Sequence, residues 1–329
     1  MPAAAGLFLL VALGIVPNTK TALMSTECTH PSAQNATAQE ELEKLYAGML
    51  LGVNASAWPD AESHEKLWRG LQYASNGRVE ARTFAANGPL QVVLFLQQSQ
   101  VAMRLVEEAR AHVFQPFLTE LRSGLSAPSL KTMERGVFTP KSDAMHSVML
   151  VFSEHPSLLD AEDRAKWQPV SDEQVQTLDT ALRAPLESRC AMAIQLWGYA
   201  ITPDGSMLLL FEEAPGGSSL LELREDLQRI GEDTLGSLNS RPKKLIHVST
   251  MRLLDWPFDN LTEAESAHVE ATIARWAAAL ADKQLPSGAE LPNLGTRVEG
   301  SQLELARDTQ WMMTHHHTYG VFDLGQVVA

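Results

Sequence analysis

Two side chains in one short stretch could carry acid–base chemistry. The stretch "KKLIHVSTMRLL" (Lys243–Leu254) is typical of a buried strand, yet it contains His247 and Ser249. Buried polar groups cost free energy unless they are hydrogen-bonded. Alternate residues of a strand share a face, so His247, Ser249 and then Met251 should point one way and Thr250 the other. The imidazole and the hydroxyl should then lie side by side, roughly 7 Å apart along the backbone, where they could act on an anionic substrate.

A second histidine would complete this chemistry, since one group must take a proton and another must give one. The triplet His-x-Ser/Thr also occurs at His30, His155 and His316. Each of these lies beside a proline or in a histidine run, where no regular strand is expected. His146 lies instead in the apolar stretch "MHSVMLVF" (Met145–Phe152), which is bounded by turn-forming residues and predicts a buried strand. His146 is therefore the predicted partner of His247.

The surroundings of His146 depart from this pattern. Val148 occupies the position at which the second strand has its hydroxyl. Ser147 should point to the opposite face of an ideal strand, and only a β-bulge could bring it round. The loss of one hydroxyl donor could cost about a hundredfold in rate if that donor acts in the transition state.

The stretch "IHVSTMR" resembles the second signature of the 2H phosphoesterase superfamily, in which two strands each carry His-Φ-Ser/Thr-Φ, Φ being apolar. In the LigT-like branch an arginine follows at the spacing of Arg252. The order of the predicted elements also agrees: a hairpin over Arg189–Glu213, a helix over Leu220–Leu238, and then the second histidine strand. The resemblance covers roughly residues 131–308, and one of its two signatures is degenerate.

This resemblance implies an α+β fold of two lobes, with antiparallel sheets, flanking helices, pseudo-twofold symmetry and a cleft between the lobes. It implies metal-independent chemistry without a cofactor, on small nucleotide or RNA-terminal phosphates with 2′,3′-cyclic or 2′–5′ linkages. His146 and His247 would be the catalytic acid and base. Ser249, Arg252 and Ser147 would bind the substrate phosphate.

Two other functions stay open at this point. The chain could keep the cleft and bind a nucleotide or a phosphate without catalysis, because Val148 replaces one donor. It could also be an interaction scaffold in which the N-terminal helices are the functional part. Turnover of a cyclic nucleotide that depends on both histidines separates the first function from these alternatives.

The patterns divide the chain into three parts. Residues 1–24 resemble a signal peptide or signal anchor, residues 25–130 form a helical N-terminal region, and residues 131–329 form the 2H phosphoesterase-like domain. The longest helical signal runs from Leu90 to Leu125. In the third part, Pro203-Asp204-Gly205 predicts a hairpin turn.

Two patterns near the C-terminus predict a helix and a last strand. Thr262 and Glu265 form a capping box at the start of the helix. The strand lies near "SQLELARD" and leads into the C-terminal tail.

The net charge argues against extended nucleic acid as a partner, and the surroundings of the histidine run argue against a bound metal ion. A formal net charge of −14 argues against a sequence-independent grip on extended nucleic acid, although a small anionic substrate could still bind in a locally basic pocket. The run His315–His317 suggests a metal site, but no nearby carboxylate or cysteine completes one, so no metal is predicted.

An N-terminal apolar run, glycosylation triplets and the cysteines indicate the cellular compartment of the protein. The apolar run over residues 3–16 has the size of a signal-peptide core and is the one candidate for membrane attachment. Acceptor triplets for N-glycosylation begin at Asn35, Asn54 and Asn260. These features favour the secretory pathway or secretion, with a cytoplasmic location as the alternative. Cys28 and Cys190 are the only cysteines and are expected to be thiols, with one disulfide between them as the alternative if the chain is exported. The sequence leaves the oligomeric state open.

Overall fold

The computed structural model describes residues 36–84, 87–140, 145–236, 245–256, 260–310 and 315–325. Over these residues the chain has two antiparallel sheets of four and five strands, a small two-stranded sheet and helices packed against them. This arrangement confirms the predicted α+β class.

Helices and strands alternate along the chain, singly or in short groups. The helices are α1 (Ala36–Leu51), α2 (Ala61–Trp68), α3 (Gln100–Ala109), α4 (Gln115–Ser123), α5 (Ala127–Gly136), α6 (Ala161–Lys166), α7 (Asp172–Glu187), α8 (Leu220–Leu235) and α9 (Glu263–Ala281). The strands are β1 (Leu71–Tyr73), β2 (Val79–Ala81), β3 (Leu90–Phe95), β4 (Val137–Phe138), β5 (His146–Ser153), β6 (Met192–Ile201), β7 (Ser206–Glu213), β8 (His247–Leu253), β9 (Arg297–Gly300), β10 (Gln302–Gln310) and β11 (His315–Asp323).

The two large sheets each contain one histidine strand. The four-stranded sheet has the order β11-β10-β3-β5, so β5 lies at its edge. The five-stranded sheet has the order β4-β8-β7-β6-β9, in which β8 is covered at the outer side only by the two-residue strand β4. Strands β5 and β8 contact each other. The two sheets therefore meet along the strands that carry His146 and His247.

Local sequence signals account for several elements. Gly205 has a φ of 78° in the turn between β6 and β7, a conformation that favours glycine, so the predicted hairpin is confirmed. The predicted capping box of Thr262 and Glu265 is present at the start of α9. Ser171 and Gln174 form another capping box at the start of α7. The predicted strand near "SQLELARD" is β10.

Two predictions about secondary structure are wrong. The pattern predicts that Leu90–Phe95 begins a long helix, but this segment is a fully buried strand between β10 and β5. The histidine run is predicted to lack regular structure, but His315–Asp323 pairs with β10 along its length. The domain boundary at residue 130 stays a prediction, although β3, which precedes it, lies in the same sheet as β5.

The expectation of free thiols is also wrong for the described cysteine. Cys190 is buried and disulfide-bonded. The only other cysteine of the sequence, Cys28, lies outside the described residues, as does the apolar run over residues 3–16. Among the described helices, none has the length and apolar character needed to cross a bilayer.

Helix α1 is fixed to the five-stranded sheet by one buried tyrosine. The hydroxyl of Tyr46 donates to the carbonyl of Phe211 (2.5 Å) and accepts from the amide of Ile246 (3.1 Å). Its ring lies 4.9 Å from that of Trp197. Ile246 immediately precedes His247, so α1 supports the start of the second histidine strand.

We expect Tyr46→Phe to lower the free energy of unfolding by about 1–3 kcal/mol, because it leaves buried backbone groups without the hydroxyl. Denaturant unfolding measures this change. Tyr73→Phe is the control, since Tyr73 is 55% exposed. Equal effects of the two substitutions would contradict the proposed anchoring of α1.

Candidate functional site

The two predicted catalytic histidines occupy equivalent positions in the two sheets. His146 is the first residue of β5 and pairs with Phe95 of β3. His247 is the first residue of β8 and pairs with Leu210 of β7. Both histidines are partly exposed at the strands along which the sheets meet. The strand pair β3–β5 thus corresponds to the pair β7–β8.

This correspondence extends along both strand pairs. Val148 pairs with Val93 in the four-stranded sheet, and Ser249 pairs with Leu208 in the five-stranded sheet. Directly paired residues of antiparallel strands point to the same face. We call the face that carries His146 or His247 the histidine face of its sheet. Ser249 lies on the histidine face, as predicted from strand alternation.

A β-bulge follows each histidine at the same place. The pairing shifts after Val148 and after Ser249, which leaves Met149 and Thr250 as the extra residues. The hydroxyl of Thr250 is buried and donates to the carbonyl of Met207 (2.9 Å). A bulge inverts the alternation of every residue that follows it.

The second bulge places Arg252 in the site. After Thr250, Arg252 pairs with Ser206 and returns to the histidine face, whereas Met251 turns into the core. The sequence-based expectation that Met251 would share the face of His247 is therefore wrong. The Nη2 atom of Arg252 donates to the hydroxyl of Ser249 (3.0 Å). Burial lowers the pKa of the Arg252 guanidinium, and the Asp204 carboxylate opposes that shift.

The corresponding positions in the first strand are apolar. Val148 stands where the second strand has Ser249, and the buried Val151 stands where it has Arg252. Ser147 pairs with Leu94, faces away from His146 and is only 1% exposed. The bulge comes after Ser147 in the strand, so it does not move the Ser147 side chain to the histidine face. His247, Ser249 and Arg252 therefore share one face of their sheet. Ser147, by contrast, does not lie on the same face as His146.

A third histidine shares the histidine face of the four-stranded sheet. The ring of His316 stacks on that of Phe95, with centroids 5.0 Å apart, and Phe95 in turn lies 5.9 Å from the ring of His146. Glu304 accepts a hydrogen bond from Thr318 (2.9 Å) and lies 4.0 Å from the Nε2 atom of His316. The sequence signal for this residue is the triplet His316-His317-Thr318, which has no apolar flanks of the kind that predict a strand.

The other predicted features do not join this site. His155 lies in a turn after β5, where its Nδ1 atom contacts the hydroxyl of Ser157 at 2.7 Å. Burial lowers the pKa of His155, and the nearby Arg82 lowers it further. Within the described part of the chain, no group of three or more histidine, cysteine, aspartate or glutamate side chains is arranged to hold a metal ion.

Comparison with known proteins finds similarity only to solved structures. No protein-family model matches the sequence, and no curated protein matches it. Among solved structures, the chain is similar to TT0787 of Thermus thermophilus, with 15% identity, a TM-score of 0.40, and coverage of 72% of this chain and 98% of that one. It is also similar to LigT of Escherichia coli in complex with 3′-AMP, with 11% identity, a TM-score of 0.36, and coverage of 73% and 99%.

Proposed function

We propose that this protein is a metal-independent phosphodiesterase that acts on small nucleotide or RNA-terminal phosphates with 2′,3′-cyclic or 2′–5′ linkages. The observation that carries the proposal is the equivalent placement of His146 and His247. Each begins a strand, each is followed by a bulge at the same place, and the two strands contact each other. Two imidazoles so arranged suit a reaction that needs one proton acceptor and one proton donor.

In hydrolysis of a 2′,3′-cyclic phosphate, one neutral imidazole takes a proton from water as the water oxygen bonds to phosphorus. The other histidine, as imidazolium, gives a proton to the ribose oxygen as its bond to phosphorus breaks. Ser249 and Arg252 lie on the histidine face and can bind the non-bridging oxygens. A guanidinium is well suited to this role because its N–H groups match two phosphate oxygens.

A specific observation also favours the non-catalytic alternative. Both positions in the first strand that correspond to phosphate ligands are valines, Val148 and Val151. All the predicted phosphate ligands on the histidine faces thus come from the second strand. A site of this kind could hold a phosphate through Ser249 and Arg252 without the donors that stabilise a transition state.

The full chain should turn over 2′,3′-cyclic AMP in excess EDTA, with a bell-shaped dependence of kcat/KM on pH around neutrality. We expect His146→Ala and His247→Ala each to lower kcat by about a hundredfold or more. His155→Ala is the matched control, since it removes the histidine of another His-x-Ser triplet outside the site. Binding of the nucleotide without turnover by the unaltered chain would support the binding protein and contradict the enzyme.

A single substitution should improve the enzyme. Val148→Thr keeps the shape of the side chain and adds a hydroxyl to the histidine face, so we expect kcat to rise about tenfold. Ser147→Ala is the control and should change kcat less than twofold, because Ser147 lies on the opposite face. An unchanged kcat in Val148→Thr would show that the first strand does not contact the phosphate.

We also propose that the chain enters the secretory pathway. The disulfide at Cys190 supports this location, because disulfides persist in oxidising compartments. The acceptor asparagines Asn54 and Asn260 are exposed, as glycosylation requires.

When the full chain is expressed in eukaryotic cells, treatment with an N-glycosidase should lower its apparent mass. Asn54→Gln and Asn260→Gln should each remove part of that change. A chain that stays in the cytosolic fraction, with no change in mass on treatment, would rule out this location.

A further inference from the structure

The bulges after the two histidines are each held by an arginine, and each arginine lies on the helical segment that follows a strand of the opposite sheet. The Nε atom of Arg224 donates to the carbonyl of Met149, the bulge residue of β5, at 3.2 Å. The Nε atom of Arg110 donates to the carbonyl of Thr250, the bulge residue of β8, at 3.1 Å. Each bulge thus has the same type of partner at the same carbonyl.

Each arginine makes a second hydrogen bond, to a carbonyl that precedes the other histidine strand in the chain. The Nη2 atom of Arg224 donates to the carbonyl of Leu245 (2.8 Å), which leads into β8 and His247. The Nη2 atom of Arg110 donates to the carbonyl of Pro140 (2.8 Å), which follows β4 and comes before β5 in the chain. Each guanidinium therefore ties the bulge of one histidine strand to the segment before the other.

The two arginines also come from corresponding helices. Arg110 directly follows α3, the helix after β3, and begins a π-helical turn (Arg110–Phe114) that contacts β8. Arg224 lies on α8, the helix after β7, which contacts β5. The start of α8 is fixed by Glu213, whose carboxylate accepts from the amides of Leu220 (2.7 Å) and Leu221 (3.3 Å).

Both guanidinium groups are substantially buried. Burial lowers the pKa of Arg224 to about 10, which still leaves it charged at neutral pH, and burial also lowers the pKa of Arg110. A buried charge is costly unless its N–H groups are hydrogen-bonded, so the carbonyl partners and the arginines depend on each other. The planar guanidinium can span two carbonyls at fixed geometry, which a lysine ammonium cannot.

We propose that Arg110 and Arg224 are a matched pair of positioning residues that fix His146 and His247 at the separation needed for proton transfer to and from one phosphate. This inference rests on the proposed function. Neither arginine contacts the substrate in this scheme. Each acts through backbone carbonyls, and loss of either one disturbs both histidine strands.

The first experiment compares the kinetics of Arg110→Gln and Arg224→Gln with those of the unaltered chain on 2′,3′-cyclic AMP. Misplacement by about 1 Å can cost a hundredfold in rate, so we expect kcat to fall about tenfold to a hundredfold while KM changes less than threefold. Arg110→Lys and Arg224→Lys keep the charge and should not restore kcat. The double Gln variant should lose less than the product of the single effects, because both arginines fix the same separation.

The matched control is Arg164→Gln. The Nε and Nη2 atoms of Arg164 also donate to two carbonyls, those of Pro156 and Leu159, both at 2.9 Å, but on an exposed surface after β5. This substitution should leave kcat unchanged. Full activity in Arg110→Lys or Arg224→Lys would overturn the proposal, because it would show that charge alone is needed.

The second experiment does not depend on activity and separates this inference from the proposed function. Hydrogen exchange should become faster in peptides covering both β5 and β8 when either Arg110 or Arg224 is replaced by Gln. In Arg164→Gln the change should stay near α6. Faster exchange in only one of the two histidine strands would overturn the cross-linking role, even if the chain proves to be a phosphodiesterase. If exchange becomes faster in both β5 and β8 but the unaltered chain shows no turnover, the arginines stabilise both strands and have no role in catalysis.

Discussion

The candidate site depends on the pairing register of two strands and on one extra residue in each. A β-strand alternates its faces with a period of two, so a single unpaired residue reverses the orientation of all that follow. In β8 the extra residue Thr250 brings Arg252 to the side of His247 and Ser249 and turns Met251 into the core. Without the bulge, the cation would lie on the core side and the site would have no arginine from this strand.

A bulge leaves backbone groups without ladder partners, and buried backbone groups must be satisfied. Here the carbonyls of Met149 and Thr250 are satisfied by charged arginines. This solution concentrates positive charge near the histidine strands of a chain whose formal net charge is −14. A small anion can then be attracted locally, whereas the long-range field of the protein still disfavours an extended polyanion.

The sequence predicts the elements whose patterns are local. The strand over Met145–Phe152, the hairpin at Gly205 and the capping box of Thr262 follow from apolar runs, turn residues and caps within a few positions. The strand Leu90–Phe95 is missed because periodicity alone does not distinguish a short apolar run from part of a buried helix, and an amphipathic helix follows at Gln100. The bulges cannot be predicted at all, since a bulge is a property of the pairing between two strands that are distant in sequence. For the same reason strand alternation alone assigns the faces of Met251 and Arg252 wrongly.

The asymmetry of the site makes the arginine pair more important than it would be in a symmetrical one. If both strands held the phosphate, a bound substrate would itself draw the two histidines to the correct distance. In this chain the predicted phosphate ligands Ser249 and Arg252 belong to one strand, and the other presents Val148 beside its histidine. The substrate can then be fixed relative to His247 without being fixed relative to His146. The remaining alignment has to come from the protein. The guanidinium groups, each bonded to one bulge and to a residue that precedes the other histidine strand, are placed to supply it.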